Sequence, residues 1–195
     1  MEKRKVAVIN IGNAYQNPLL DVFENFEVVN FFDKKLDCIK SDGESVFSYD
    51  EEESFIERFL AIMPVDSVII KPSVKIGKAE IVSSLQMLLN NIFWVIKQIY
   101  SPVMMHRGTK VWVLEPDILC LNENNEQNRA YIRVFNQGIK NLTKVTAIEL
   151  AKKKIAVNYF EGRQNAEGFE KLRSLIEWTN ECKNTYLTAQ ELCCL

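Results

Sequence analysis

One histidine, His106, stands in 195 residues, and the five cysteines (Cys38, Cys120, Cys182, Cys193 and Cys194) show no Cys-x-x-Cys spacing. Without a histidine cluster or paired thiols, neither a zinc site nor a disulfide framework is expected, and the cysteines read as reduced thiols, some of them buried as small hydrophobes. Neither sign of charge prevails: 24 basic side chains face 26 acidic ones. No field of single sign is therefore available to attract nucleic acid or anionic lipid. Long apolar runs are missing as well. The run after Met1-Glu-Lys-Arg-Lys reaches only Asn10 and Gly12, too short and wrongly flanked for a signal peptide. The most apolar stretch, about Leu85 to Met105, is interrupted by Asn90, Asn91, Lys97 and Gln98, which argues against a membrane span. The expectation is a cytoplasmic protein with no nucleic-acid or membrane partner. No repeat or linker divides the chain, and with 47% hydrophobic residues one domain over residues 1–195 is expected.

Strands and helices alternate along the chain. Val6-Ala-Val-Ile-Asn-Ile11, ended by Gly12, is a continuous apolar run, as a strand buried on both faces of a parallel sheet requires. A short helix from Pro18 to Glu24 and a strand from Phe26 to Phe32 complete a β-α-β unit. A short strand is expected within Ser45 to Tyr49, and Asp50 with Glu53 forms a capping-box pattern for a helix through Ile62. Val65 to Lys71 reads as a strand stopped by Pro72, and Ile81 to Pro102 as a long helix. Beyond a turn at His106-Arg-Gly-Thr lie a strand at Lys110–Leu114 and a polar loop from Asn122 to Arg129. A helix from about Arg129 to Lys152, a strand Ile155 to Phe160, a helix Glu167 to Asn180 and a strand within Glu191 to Leu195 finish the order. Such alternation implies right-handed crossovers and a Rossmann-like, doubly wound parallel α/β sheet with helices on both faces.

The run Leu142-Thr-Lys-Val-Thr-Ala-Ile-Glu-Leu-Ala-Lys-Lys-Lys-Ile-Ala-Val-Asn-Tyr-Phe-Glu-Gly162 carries a more specific message. It resembles the segment of the short-chain dehydrogenase/reductase family in which a Leu-Thr-Lys…Glu-Leu-Ala helix feeds an Ile-x-Val-Asn strand. Asn184-Thr-Tyr-Leu-Thr-Ala-Gln-Glu-Leu resembles that family's Tyr-Ile-Thr-Gly-Gln-x-Leu segment, with Ala189 in place of glycine. Members that look like 3-oxoacyl-acyl-carrier-protein reductases are the most similar. The resemblance implies hydride transfer between a nicotinamide and a carbonyl or alcohol, with a tyrosine as general acid/base, a lysine that lowers its pKa and a serine that orients the substrate oxygen.

The positions that would carry this chemistry hold other residues. Counting back from Leu142, Ile132 stands at the tyrosine position and Asn136 at the lysine position, while the serine position falls on Glu115 or Pro116. Tyr131 is a catalytic candidate only in a shifted register, because one residue along a helix turns a side chain by about 100°. Lys140, nine residues further on, is too far along the helix to serve it locally. A glycine-rich nucleotide loop lets the backbone approach pyrophosphate; here only Gly12 of those glycines is kept. Asp33 is a candidate for ribose hydroxyls and Lys34 for a 2′-phosphate, against the plainer alternative of a solvated turn. No cofactor is expected, NADPH or NADH being the one if any binds, and no metal. After Gly162 the loop and helices that close over substrate in the family are nearly gone, because Arg163-Gln-Asn-Ala-Glu-Gly168 leads straight into the next helix.

Interface features look better kept. The resemblance implies that the two long helices pair across a two-fold axis and that the last strand and the helix before it make a second contact. Phe93, Trp94 and Tyr100, then Phe135, Ile139, Leu142 and Val145, and finally Trp178 are the candidate interface residues, each alternatively a core residue. The leading expectation is a catalytically degenerate ketoreductase-like subunit that forms a dimer or tetramer with itself or with a homologous active ketoreductase, in fatty-acid or polyketide-type biosynthesis. The alternatives are an NAD(P)H-dependent 3-oxoacyl reductase using Tyr131 in a shifted register, and a nucleotide or small-molecule sensor without turnover.

Overall fold

The computed structural model describes residues 4–12, 22–23, 25–33, 45–47, 52–75, 81–105, 108–119, 126–162, 164–181 and 187–193. Eight strands occur among them: β1 (Arg4–Ile11), β2 (Phe26–Asp33), β3 (Ser45–Phe47), β4 (Ser67–Lys75), β5 (Lys110–Leu114), β6 (Asp117–Leu119), β7 (Ala156–Glu161) and β8 (Glu191–Cys193). Four helices lie between them: α1 (Glu52–Ile62), α2 (Ile81–Met105), α3 (Glu126–Ala151) and α4 (Ala166–Glu181). The strand order is β3-β2-β1-β4-β5-β7-β8, with β6 beside the end of β4. Every strand pairing is parallel. The chain runs outward from β1 in one direction and from β4 in the other, which puts the topological switch point between β1 and β4. The short helix from Pro18 to Glu24, the capping box at Asp50 and the loop before Glu126 lie wholly or mainly outside the described residues.

Period-two alternation divides the core between the two faces of the sheet. Ala7, Ile9, Ile11, Val68, Ile70, Val111, Val113 and Val157 pack under α1, α2 and α3, where Phe31, Phe55 and Phe59 form an aromatic cluster with ring centroids 5.7–6.0 Å apart. Val6, Val8, Ile69, Trp112, Leu114 and Phe160 pack on the other face against Phe169, Leu172 and Ile176 of α4. Helices α2 and α3 meet where Gly138 lies beside Leu85 and Leu89. No helix among the described residues is long and apolar enough to cross a membrane.

The expectation that Pro72 stops β4 is corrected. β4 continues to Lys75, with Pro72 in register with Ile11 of β1. On its other side the ladder to β5 ends at the pair Ile70–Val113 and resumes as Ser73–Asp117, now with β6. Pro72 on one strand and Pro116 on the other span this gap. A strand residue points its N–H and C=O to the same side, and the Pro72 carbonyl is bonded on the β5 side, to Gln164. The N–H that proline lacks would thus have faced the gap, where the β4–β5 ladder is interrupted.

Two tight backbone positions depend on whether glycine is present. Gly12 has φ 79°, and a Cβ there would lie 2.0 Å from the Ser73 carbonyl oxygen. Ala189 has φ 58°, the left-handed region, at the position where the family segment carries glycine. It is held there because Ala189 N–H donates to the Val157 carbonyl at 2.9 Å and the buried Asn158 clasps the same turn. Asn158 donates to Leu187 O at 2.9 Å and accepts from Gln190 N–H at 3.1 Å. The asparagine of the Ile-Ala-Val-Asn run is thus what docks β8.

Opposite effects follow at these two sites. Gly12→Ala is expected to cost about 2 kcal/mol or more, since the new Cβ meets backbone that cannot yield. Ala189→Gly is expected to gain roughly 0.5–1 kcal/mol by relieving the left-handed strain. Urea denaturation of the two variants checks both signs.

Candidate functional site

The carboxyl ends of β4, β5 and β7 form the crevice at which ligands bind in open α/β sheets. Glu115 follows β5 and, like Val111 and Val113, points toward α3. Its carboxylate accepts a hydrogen bond from the Asn136 side-chain amide. The residues at the serine and lysine positions of the family pattern are therefore brought together, but as a carboxyl and an amide. Burial pushes the Glu115 carboxyl up, and the nearby Glu161 carboxylate adds to this; the Asn136 amide, the Gly162 N–H and Lys140 pull the other way. Glu115 can hold a proton at higher pH than an ordinary glutamate. With no phenol or hydroxyl beside it among these positions, the pair does not reproduce the tyrosine-lysine-serine arrangement.

Lys140 is engaged elsewhere. Its Nζ lies 2.9 Å from Glu161 and 3.7 Å from Glu191, and 5.4 Å from the centre of the Tyr159 ring. Lys144 meets the second oxygen of Glu191 at 2.6 Å. These pairs join α3 to β7 and β8, and being partly exposed each contributes up to about 1 kcal/mol. Tyr131 sits in the second turn of α3, half-buried, two and a half turns before Lys140.

Of the other candidates, Gly12 ends β1 against Ser73, so its need for glycine is already met by a backbone contact. Asp33 closes β2 opposite Phe47 of β3, and Lys34 lies outside the described residues. A dinucleotide needs glycine turns that leave its pyrophosphate room, and residues 13–21, where such a loop would follow Gly12, lie outside the described residues. Among them no group of three or more His, Cys, Asp or Glu could hold a metal ion.

The interface candidates divide three ways. Phe135 and Ile139 are fully buried within the chain. Their expected place at an interface is corrected to the core under α3, because that side of the helix is the one laid on the sheet. Trp94, Tyr100 and Leu142 are half-buried against the same core, with Trp94 5.4 Å from the Phe55 ring. Phe93, Val145 and Trp178 are exposed by 56%, 58% and 50%. Phe93 and Val145 belong to the α2 and α3 layer, whereas Trp178 lies on α4, across the sheet.

Two site residues were not foreseen. Gln164, in the connection between β7 and α4, donates to the carbonyls of Pro72 at 2.9 Å and Glu115 at 2.7 Å. Lys71, on β4, is 3% exposed and sits 5.6 Å from the centre of the Phe169 ring. A lysine closing the apolar run Val68-Ile-Ile70 was the signal for the second; nothing in the composition of the short loop marked the first.

Similarity to solved structures follows this architecture. A short-chain dehydrogenase/reductase from Serratia marcescens matches with a TM-score of 0.62 at 14% identity, over 98% of this chain and 96% of that one. YwfH, an NADPH-dependent reductase involved in bacilysin biosynthesis, matches with a TM-score of 0.64 at 14% identity, over 98% of each chain. The fold is that of the short-chain dehydrogenase/reductases. No protein-family model matches the chain, and no curated protein matches it in sequence. The short-chain dehydrogenase/reductase fold is thus carried here by a sequence far from those of its solved neighbours. Its connection from β7 to α4, residues 162–165, is four residues long.

Lys71 yields a pH dependence whose sign can be worked out. Burial lowers its pKa from 10.5 to about 8, with Asp117 opposing. Between those values the unfolded chain binds more protons than the folded one, so this group makes stability rise with pH; below about 8 its cost is complete. Lys71→Met is expected to be more stable than the wild type near neutral pH by up to roughly 3 kcal/mol, and the gap should narrow as pH rises. Urea denaturation at about pH 7 and about pH 9.5 measures it; a gap that stays constant contradicts the assignment.

Proposed function

We propose that this chain is a catalytically degenerate, ketoreductase-like subunit of the cytoplasm. It assembles with itself or with a homologous active ketoreductase and supports that partner's site. The observation that carries this proposal is the contact of Glu115 with Asn136, the residues standing at the serine and lysine positions. A general acid of the family type needs a phenol with a neighbouring ammonium. Here Ile132 has the phenol's position, and Lys140 of α3 is tied to Glu161 and Glu191. A reductase using Tyr131 would have to release that lysine from two carboxylates. Binding of NADPH or NADH is accordingly not expected to be part of the chain's own work. Carrier-bound acyl chains, as in fatty-acid or polyketide-type synthesis, are the substrates that such a partner would handle.

The outward surface of the α2 and α3 layer supports assembly. Val134, Val145 and Ile148 of α3 are 50–65% exposed, and Val82, Met87 and Phe93 of α2 are 52–79% exposed. Six large apolar side chains on two adjacent helices favour a covered surface over a solvated one. In the double substitution Val145→Glu and Ile148→Glu, two charges would have to be buried in any such contact. The variant should fall from dimer or tetramer to monomer in light scattering after size exclusion, with its folding stability within about 0.5 kcal/mol of the wild type. A wild type that is monomeric alone, and that fails to co-purify with a ketoreductase encoded beside it, would remove the proposal.

A further inference from the structure

Two main-chain carbonyls, those of Pro72 and Glu115, lie at the gap in the β4–β5 ladder. Both accept from the same nitrogen, Nε2 of Gln164, at 2.9 Å and 2.7 Å. A nitrogen that serves two acceptors uses both hydrogens of its NH2 group. The two carbonyls are therefore spaced to receive one planar primary amide. The other half of that amide is less well served, because Gln164 Oε1 is buried with no hydrogen-bond donor among the described residues. A side chain chosen only to cap two carbonyls need not bury an acceptor of its own, since Lys or Arg would present donors alone.

We infer that the carbonyls of Pro72 and Glu115 form a primary-carboxamide site in the crevice, and that the chain's own Gln164 fills it. The crevice is held shut by an internal ligand, and a small primary amide binds in its place when Gln164 is absent. This goes beyond the assembly described above and does not rest on it. The chemistry also excludes competitors. A carboxylate would place negative oxygen against two carbonyl oxygens, and a tertiary amide has no hydrogen to give.

Removal of the side chain tests this. Gln164→Ala should melt below the wild type, and propionamide should raise its midpoint saturably by roughly 2 °C or more. Neither propionate nor N,N-dimethylpropionamide should do so, and the wild type should not respond to propionamide. An equal response to the dimethyl compound, or none to propionamide, overturns the inference. Should the variant not fold, hydrogen exchange in the wild type decides: the Gln164 side-chain amide protons must exchange more slowly than those of Gln137, which bonds Asn141 on the exposed face of α3. Equal rates overturn it as well.

Discussion

At the centre of the sheet β1 and β4 run so close that only a glycine fits at position 12. The Ser73 carbonyl stands where any other residue would place its Cβ. That approach sets the course of β4 beyond Pro72, and the rest of the carboxyl edge follows from it. With β4 extended to Lys75, the chain after β5 can rejoin it as β6 only by stepping over the gap at Pro72 and Pro116. Two carbonyls lie at the gap, and the four-residue connection from β7 to α4 is the length that brings Gln164 onto both. In an open α/β sheet this edge is where a ligand would enter. Here Gln164 bridges the carbonyls of Pro72 and Glu115 at this edge.

The electrostatics of the edge suit this closed arrangement better than proton transfer to a carbonyl substrate. Glu115 carries a carboxyl whose ionisation is opposed by burial and by Glu161, and its partner Asn136 cannot exchange a proton near neutral pH. Lys140, the cation nearest in the helix, spends its charge on Glu161 and Glu191. A working acid/base site keeps such a charge for the transition state. In this chain it fastens α3 to β7 and β8, while Asn158 fastens β8 from below. The same residues that resemble a catalytic helix and strand therefore act as a mechanical joint, on whose outer surface the apolar side chains of α3 lie.

Much of the fold was legible in the sequence because buried parallel strands declare themselves as apolar runs. β5 falls at Lys110–Leu114 as expected, and α2 and α3 differ from expectation by three residues or fewer at each end. Pro72 misled because proline usually ends a strand. Its harmlessness depends on a gap in the neighbouring strand, a long-range fact that no local pattern contains. β6 is three residues with no period to detect. In the site, counting back from Leu142 placed Asn136 at the lysine position and the end of β5 left the serine position between Glu115 and Pro116; that Glu115 meets Asn136 is a contact only the structure shows. The apolar positions of α3 were harder to divide. Phe135 and Val145 look alike in the sequence, and only the roll of the helix on the sheet sends one into the core and the other outward. Gln164 was invisible, since a glutamine in a short polar loop resembles any solvated residue until the carbonyls beneath it are seen.

The central claim is that the chain keeps the fold of a reductase without its turnover. The most direct measurement is a fluorescence titration of the purified protein with NADPH, followed by addition of a 3-oxoacyl thioester. The account predicts no saturable binding signal and no oxidation of NADPH above the rate in buffer. Saturable binding followed by substrate-dependent oxidation, lost on Tyr131→Phe, would contradict it.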